Sequence, residues 1–166
     1  NHLLVVPDAD VELTAENVVA SFAGCAGQRC MAASVLVAVG DVEHIIDAIV
    51  EKARGLKVGE NVGAIINALS VERIRGYIDE AESMGSVVRL DGRQAGNGRP
   101  GYWIGPTVVE HTSRDVPALN EEIFGPVLSI IRVSSLDEAL ALENESPFGN
   151  GFGVYTSSGD VAQRVI

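Results

Sequence analysis

The sequence predicts an α/β fold of three layers, α/β/α, with helices on both faces of a mainly parallel sheet. Short apolar runs alternate with segments of helical period along the whole chain. The strongest runs, residues 34–39 and 127–133, are near-continuously apolar instead of alternating, the pattern of strands covered on both faces. No internal repeat and no Pro- or Ser-rich linker divides the 166 residues, so a single domain is expected.

Residues 3–6 form a short apolar run before Pro7-Asp8-Ala9-Asp10, a buried strand feeding a turn. Thr14 is the expected cap of the next helix, in which Val18, Val19, Phe22 and Ala26 share one face. Residues 34–39 give a strand ending at Gly40-Asp41. Ile45, Ile46, Ile49 and Val50 then mark an amphipathic helix, with Gly55 as its expected left-handed cap. Residues 56–69, punctuated by Gly59 and Gly63, show no period and read as loop. Ser70 is the expected cap of a helix carrying Ile74, Tyr77, Ile78 and Ala81 as far as Gly85. Residues 86–90 read as a strand turned by Asp91-Gly92. The glycine-rich run 92–101 precedes no helix start, so it reads as a surface loop and not a phosphate cradle. Residues 102–104 and 107–110 are expected as short strands around Gly105-Pro106, and residues 127–133 as a strong one. Ser135-Leu136-Asp137-Glu138 is a capping box opening a helix through Ala139 and Leu142. Residues 151–156 give a last strand, followed by a helix with Val161 and Val165 four apart.

Composition narrows the function classes. Twelve Lys and Arg against 23 Asp and Glu leave a net charge of -11, which repels phosphate backbones and argues against nucleic acid as a partner. No apolar run approaches the roughly 20 residues that span a bilayer, so no membrane partner is expected. Two cysteines do not make a disulfide framework, and a reducing, cytoplasmic compartment is expected. Cys25 and Cys30 lack zinc spacing and a second ligand pair, so no metal is expected; His2, His44 and His111 read as surface or capping residues. A serine hydrolase lacks its nucleophile elbow.

Two stretches carry chemistry. In Gly27-Gln28-Arg29-Cys30-Met31-Ala32 a helical pattern breaks just before a strand, and such a junction aims a side chain into a cleft. A free thiol of pKa about 8.5 is roughly 3% ionised at neutral pH, and a cation beside it, here Arg29, favours the thiolate that attacks electrophiles. A small buried hydrophobe is the competing reading of any cysteine. In Asn120-Glu121-Glu122-Ile123-Phe124-Gly125-Pro126, carboxylates and an aromatic ring stand before a buried strand. A solvated loop with Phe124 in the core explains that pattern; a carboxylate for sugar hydroxyls beside a ring for a flat heterocycle explains it as well.

These two motifs together resemble the NAD(P)-dependent aldehyde dehydrogenases. Asn1-His2 through Pro7-Asp8-Ala9-Asp10 and Gly101-Tyr102-Trp103-Ile104-Gly105-Pro106-Thr107 are similar to further segments of that family, in order over essentially the whole chain. Gln28-Arg29-Cys30-Met31-Ala32, the Asn1-His2 opening and Asn150 are similar to its methylmalonate-semialdehyde (malonate-semialdehyde) branch. The resemblance implies Cys30 as the nucleophile, Glu122 on the nicotinamide-side ribose, Phe124 against the nicotinamide, and Arg29 on the substrate carboxylate. It implies NAD as cofactor, a small aldehyde as substrate and coenzyme A as acyl acceptor, with water as acceptor or a non-catalytic assembly role as alternatives. The Cys30 N–H becomes half of an oxyanion hole.

Further expectations come with the family. Both ends read as cut, so residues 1–166 are expected to be a catalytic domain truncated at both ends and inactive by itself. Its dinucleotide-binding domain, general-base glutamate and second oxyanion donor would belong to the rest of a longer chain, a homo-oligomer (dimer or tetramer) when intact. Residues 56–66 are shorter than the family's usual stretch. In open α/β sheets ligands gather at the carboxyl ends of strands, whereas the Cys30 junction falls at the other edge; sheet geometry alone does not select it.

Overall fold

A computed structural model describes residues 1–165; Ile166, the last position of the predicted final helix, lies outside them. Six strands form one sheet: β1 (His2–Val5), β2 (Val35–Val39), β3 (Val87–Leu90), β4 (Thr107–His111), β5 (Val127–Val133) and β6 (Phe152–Tyr155). Their spatial order is β3-β4-β5-β2-β1-β6, and all neighbours run parallel except β3, which is antiparallel to β4 at one edge. The predicted α/β/α sandwich is thus the observed one.

Helices cover both faces. α1 (Val11–Ala23) and α2 (Glu43–Arg54) lie on one, where Val18, Phe22, Ile45, Ile46 and Ile49 pack on Val5, Leu36, Leu128 and Ile130. On the other, α3 (Ala68–Ser83) sets Ile74 and Ile78 over Val109 and Val127. Beside it, α5 (Leu136–Glu145) and α6 (Gly159–Val165) cover Leu4, Val37 and Ile131. A single turn, α4 (Pro117–Asn120), sits between them, and Ser129 Oγ donates to its Ala118 carbonyl at 3.0 Å. All five residues of β2 are buried, Leu36 and Ala38 toward one face and Val35, Val37 and Val39 toward the other, as its unbroken apolar run requires.

Several local expectations are corrected. Asp10, not Thr14, caps α1 and accepts from the Leu13 N–H at 2.8 Å; Thr14 is buried inside the helix. A carboxylate with an extended backbone immediately before the first turn outcompetes a hydroxyl four residues on. Asn67 likewise replaces Ser70 as the cap of α3, accepting from the Ser70 N–H at 2.8 Å. Gly55 is right-handed (φ −71°), and the left-handed helix end is at Gly85 (φ 89°) after α3. Ala26 is buried but stands beyond the end of α1, in a left-handed turn. Ser135 caps α5 as expected, whereas Glu138 closes the box one residue early, on the Ser134 N–H at 2.8 Å. Residues 102–104 form no strand. Gly101, Gly105 and Pro106 deprive them of a regular ladder, and they run as an extended loop in which Ile104 is fully buried.

His111 is a further correction. It is buried on β4, its Nδ1 hydrogen-bonded to Ser86 Oγ at 2.9 Å, and burial pushes its pKa down to about 4. His44 is exposed as expected, and His2 is half-buried.

Candidate active site

The loop after α1 is built by three consecutive positive-φ residues, Cys25 (52°), Ala26 (54°) and Gly27 (67°). Left-handed backbone costs a residue with a Cβ about 1–2 kcal/mol, so the surroundings must hold this turn in place. They do so on two sides. Gly27 packs against the Gly125 carbonyl, so closely that a Cβ there would stand 2.0 Å from its oxygen. The Gln28 amide donates to the Ala64 carbonyl at 3.0 Å and accepts from the Ile66 N–H at 2.9 Å, tying the loop to the segment before α3.

The chain then turns again, Ala32 N–H donating to the Arg29 carbonyl at 3.0 Å, and Cys30 is displayed on that turn. Both thiols are free and exposed, but Cys30 lines a cleft and Cys25 does not. The Arg29 guanidinium folds back on the end of α1, Nη2 donating to the carbonyls of Ala20 (3.0 Å) and Ser21 (2.7 Å). There it offsets the negative end of the helix dipole, for which the last turn of α1 supplies no basic residue.

The second motif enters the same cleft. α4 ends at Asn120, and residues 121–126 run extended into β5 with Phe124 in a left-handed kink (φ 54°). Ile123 is buried, which turns its neighbours Glu122 and Phe124 outward. The Glu122 carbonyl accepts from Arg73 at 3.0 Å, while its carboxylate has no partner among the described residues. Glu121, which also borders the cleft, accepts from the Tyr77 hydroxyl at 2.5 Å, and that hydrogen bond pushes the Tyr77 pKa up.

Cys30, Arg29, Glu122 and Phe124 therefore border one cleft enclosing about 130 Å³. It opens where Asn1 precedes β1, Cys30 precedes β2, Gly125 precedes β5 and Asn150 precedes β6, at the amino edge of the parallel strands. This is the edge that the usual rule for open sheets passes over, as the position of Cys30 in the sequence implied.

Four further residues of the cleft carry no chemical signal in the sequence. His2 Nδ1 is hydrogen-bonded to Glu143, and Asn1 and Asn150 both donate to the Cys30 carbonyl, at 2.7 and 2.8 Å. Asn1, His2 and Asn150 entered the functional reading of the sequence only through the family resemblance and Glu143 not at all, because the partner of each is distant in sequence. Among the described residues no group of three or more His, Cys, Asp or Glu could hold a metal ion. No helix of the described residues is long and apolar enough to cross a membrane.

The exposed, unpartnered Glu122 carboxylate next to the Phe124 ring suits a ligand with sugar hydroxyls and a flat heterocycle, the chemistry of a nicotinamide nucleotide.

The profile of the aldehyde dehydrogenase family matches residues 1–166. Malonate-semialdehyde dehydrogenase 1 of Geobacillus thermodenitrificans is 41% identical over 167 residues, covering 96% of this chain and 34% of its own length. The crystal structure of methylmalonate-semialdehyde dehydrogenase from Oceanimonas doudoroffii superimposes with a TM-score of 0.94 at 34% identity, covering 99% of this chain and 36% of that one. That of 1-pyrroline-5-carboxylate dehydrogenase from Thermus with bound NAD gives 0.91, also at 34% identity, over 98% of this chain and 32% of that one. The chain thus spans about a third of the length of the relatives it matches. With a family profile matched from end to end and the thiol and Glu-Ile-Phe-Gly-Pro motifs facing one cleft, the chain belongs to the aldehyde dehydrogenase family.

Proposed function

We propose that this chain is the thiol-bearing domain of an NAD-dependent enzyme that oxidises malonate or methylmalonate semialdehyde and passes the acyl group to coenzyme A. The observation that carries the reading is the shared cleft of Cys30, Glu122 and Phe124. The Cys30 thiolate attacks the aldehyde carbon, forming a C–S bond, and the resulting oxyanion is met by the Cys30 N–H, which donates to no group among the described residues. Glu122 accepts from ribose hydroxyls, and Phe124 packs on the nicotinamide. NAD, when bound, supplies the hydride acceptor that turns the thiohemiacetal into an acyl thioester on Cys30. Coenzyme A would attack that thioester as its thiolate, a new C–S bond forming as the C–S bond to Cys30 breaks and Cys30 leaves as the thiolate.

Arg29 holds the substrate carboxylate in this reading. Its Nη2 serves the end of α1, while Nη1 and Nε have no acceptor among the described residues, so the guanidinium has donors to spare at the cleft. The malonate-semialdehyde names of the relatives support a substrate with such a carboxylate. The remaining parts of the reaction fall to a dinucleotide-binding domain elsewhere in a longer chain, assembled as a homo-oligomer in the cytoplasm.

The test is NADH formation by the intact protein with malonate semialdehyde, with and without coenzyme A, and product analysis for the acyl-coenzyme A thioester. Cys30→Ser is expected to abolish NADH formation and Cys25→Ser to leave it. Full activity in the Cys30 variant would overturn the reading.

A further inference from the structure

Two amides from different strands converge on one backbone oxygen. Asn1, at the entrance to β1, donates through Nδ2 to the carbonyls of Cys30 (2.7 Å) and Ala32 (3.1 Å). Asn150, at the entrance to β6, donates through Nδ2 to the same Cys30 carbonyl at 2.8 Å. Both lone pairs of that oxygen are thereby engaged, which fixes the peptide plane on the carboxyl side of Cys30. The plane on its amino side is fixed independently, since the Arg29 carbonyl it contains accepts from Ala32 N–H at 3.0 Å. Gly151 makes room for this packing: a Cβ there would stand 2.9 Å from the Met31 methyl and 3.2 Å from Asn1 Oδ1. Both residues border the cleft, and their Nδ2 donors are spent on backbone oxygens.

We propose that Asn1 and Asn150 are positioning residues for Cys30, clamping its carbonyl so that the thiol meets a substrate carbonyl carbon while the Cys30 N–H donates to the oxygen of that same carbonyl. A thiol can be exposed and ionised yet attack poorly if its own N–H points elsewhere, and the turn bearing Cys30 is tied to α1 through Arg29 and Ala33 but belongs to no helix or ladder itself. Strands β1 and β6 pair in register from His2 with Phe152, so the two amides rest on a rigid base. The proposal rests on Cys30 as nucleophile, but its test needs neither NAD nor the aldehyde.

Two reagents separate orientation from mere availability. With p-nitrophenyl acetate the thiolate attacks an ester carbonyl, a C–S bond forms, the C–O bond breaks and p-nitrophenolate leaves, so an oxyanion must be met. With iodoacetamide a C–S bond forms as the C–I bond breaks and iodide leaves, with no oxyanion. In the intact protein, Asn150→Ala and Asn1→Ala are expected to slow the p-nitrophenolate burst at least fivefold. Alkylation of Cys30 by iodoacetamide, read by peptide mass spectrometry, should stay within twofold, with its pH midpoint unmoved. The double variant should lose more than the product of the singles, because each amide partly covers for the other on the shared oxygen. Should Asn150→Ala fail to fold, Asn150→Leu, of similar shape but without donors or charge, gives the same readout. Wild-type burst rates in the variants, or equal losses with both reagents, would overturn the proposal. NADH formation surviving in Cys30→Ser would instead remove the proposed function while leaving this burst-to-alkylation comparison intact.

Discussion

Gly27 and Gly125 meet backbone to backbone. A Cβ on Gly27 would stand 2.0 Å from the Gly125 oxygen, and one on Gly125 would stand 2.6 Å from Ile74 Cδ1. Two loops almost a hundred residues apart are joined because Gly27 has no side chain, while the bare Cα of Gly125 makes room for Ile74 of α3, and this contact places the thiol turn beside the Glu122–Phe124 segment. A glycine in each motif therefore does for the site what no functional group could.

Gly27→Ala is accordingly expected to destabilise the protein and to abolish NADH formation. Its φ of 67° costs an alanine about 1–2 kcal/mol, and the clash with Gly125 adds to that. Gly98→Ala is the control: its φ is 80°, but nothing lies within 4 Å of the added carbon. Thermal unfolding of both variants separates the two effects. A Gly27→Ala loss no larger than that of Gly98→Ala would show that the close approach is unimportant.

Much of this architecture was legible in the sequence, and for physical reasons. The layers followed from runs whose period survives any change of neighbour, such as the five buried residues of β2. Cys30, Arg29, Glu122 and Phe124 were legible because their motifs are local and resemble a family. What escaped was chosen by competition among nearby groups or by distant partners. Thr14 was the expected cap, and only the extended backbone before α1 shows that the Asp10 carboxylate takes that place. His111 looked like any scattered histidine until β4 carried it into the core. Asn1 and Asn150 gain meaning only when β1 and β6 pair and bring both to the Cys30 carbonyl.

Arg29 carries two separable duties. As the partner of the last carbonyls of α1 it contributes about 1 kcal/mol to stability, and as a carboxylate partner about 1.5–3 kcal/mol to substrate binding. Arg29→Leu is therefore expected to lower the melting temperature slightly. It should also reduce kcat/KM for malonate semialdehyde roughly 10- to 150-fold more than for propanal. Equal reductions for the two aldehydes would leave the guanidinium with its helix-end role alone.

The second charge cluster serves structure. Glu110 on β4 accepts from Arg132 on β5 at 2.5 Å and from Arg89 on β3 at 2.7 Å, and Glu43 of α2 pairs with both arginines. Arg132 beside Glu110, with Arg89, holds its carboxyl below the usual range. These side chains are partly exposed, so the pairs are screened and Glu110→Gln is expected to cost only about 1 kcal/mol. The difference from wild type in thermal unfolding should narrow in roughly 1 M salt. A salt-independent difference would point to lost packing and not to lost charge.

His111 sets the acid limit of the fold. Its folded pKa of about 4 is depressed below the 6.5 of an unfolded chain, because burial disfavours the imidazolium. Above pH 6.5 both states are neutral there and stability is independent of pH. As the pH falls below 6.5 the unfolded state alone takes up the proton, so stability falls until the folded histidine titrates near 4. At pH 5 the loss is about 2 kcal/mol, approaching about 3 kcal/mol at lower pH. Glu43, Glu110 and Asp91 are held below their ordinary values by arginines, and that stability is lost only at pH values beneath the normal carboxylate range near 4. The window from pH 6.5 to 5 therefore belongs to His111. Wild-type melting temperature should fall across it, whereas His111→Gln should start lower, through the altered Ser86 bond, and stay flat. A parallel decline in both proteins would assign the acid sensitivity to another group.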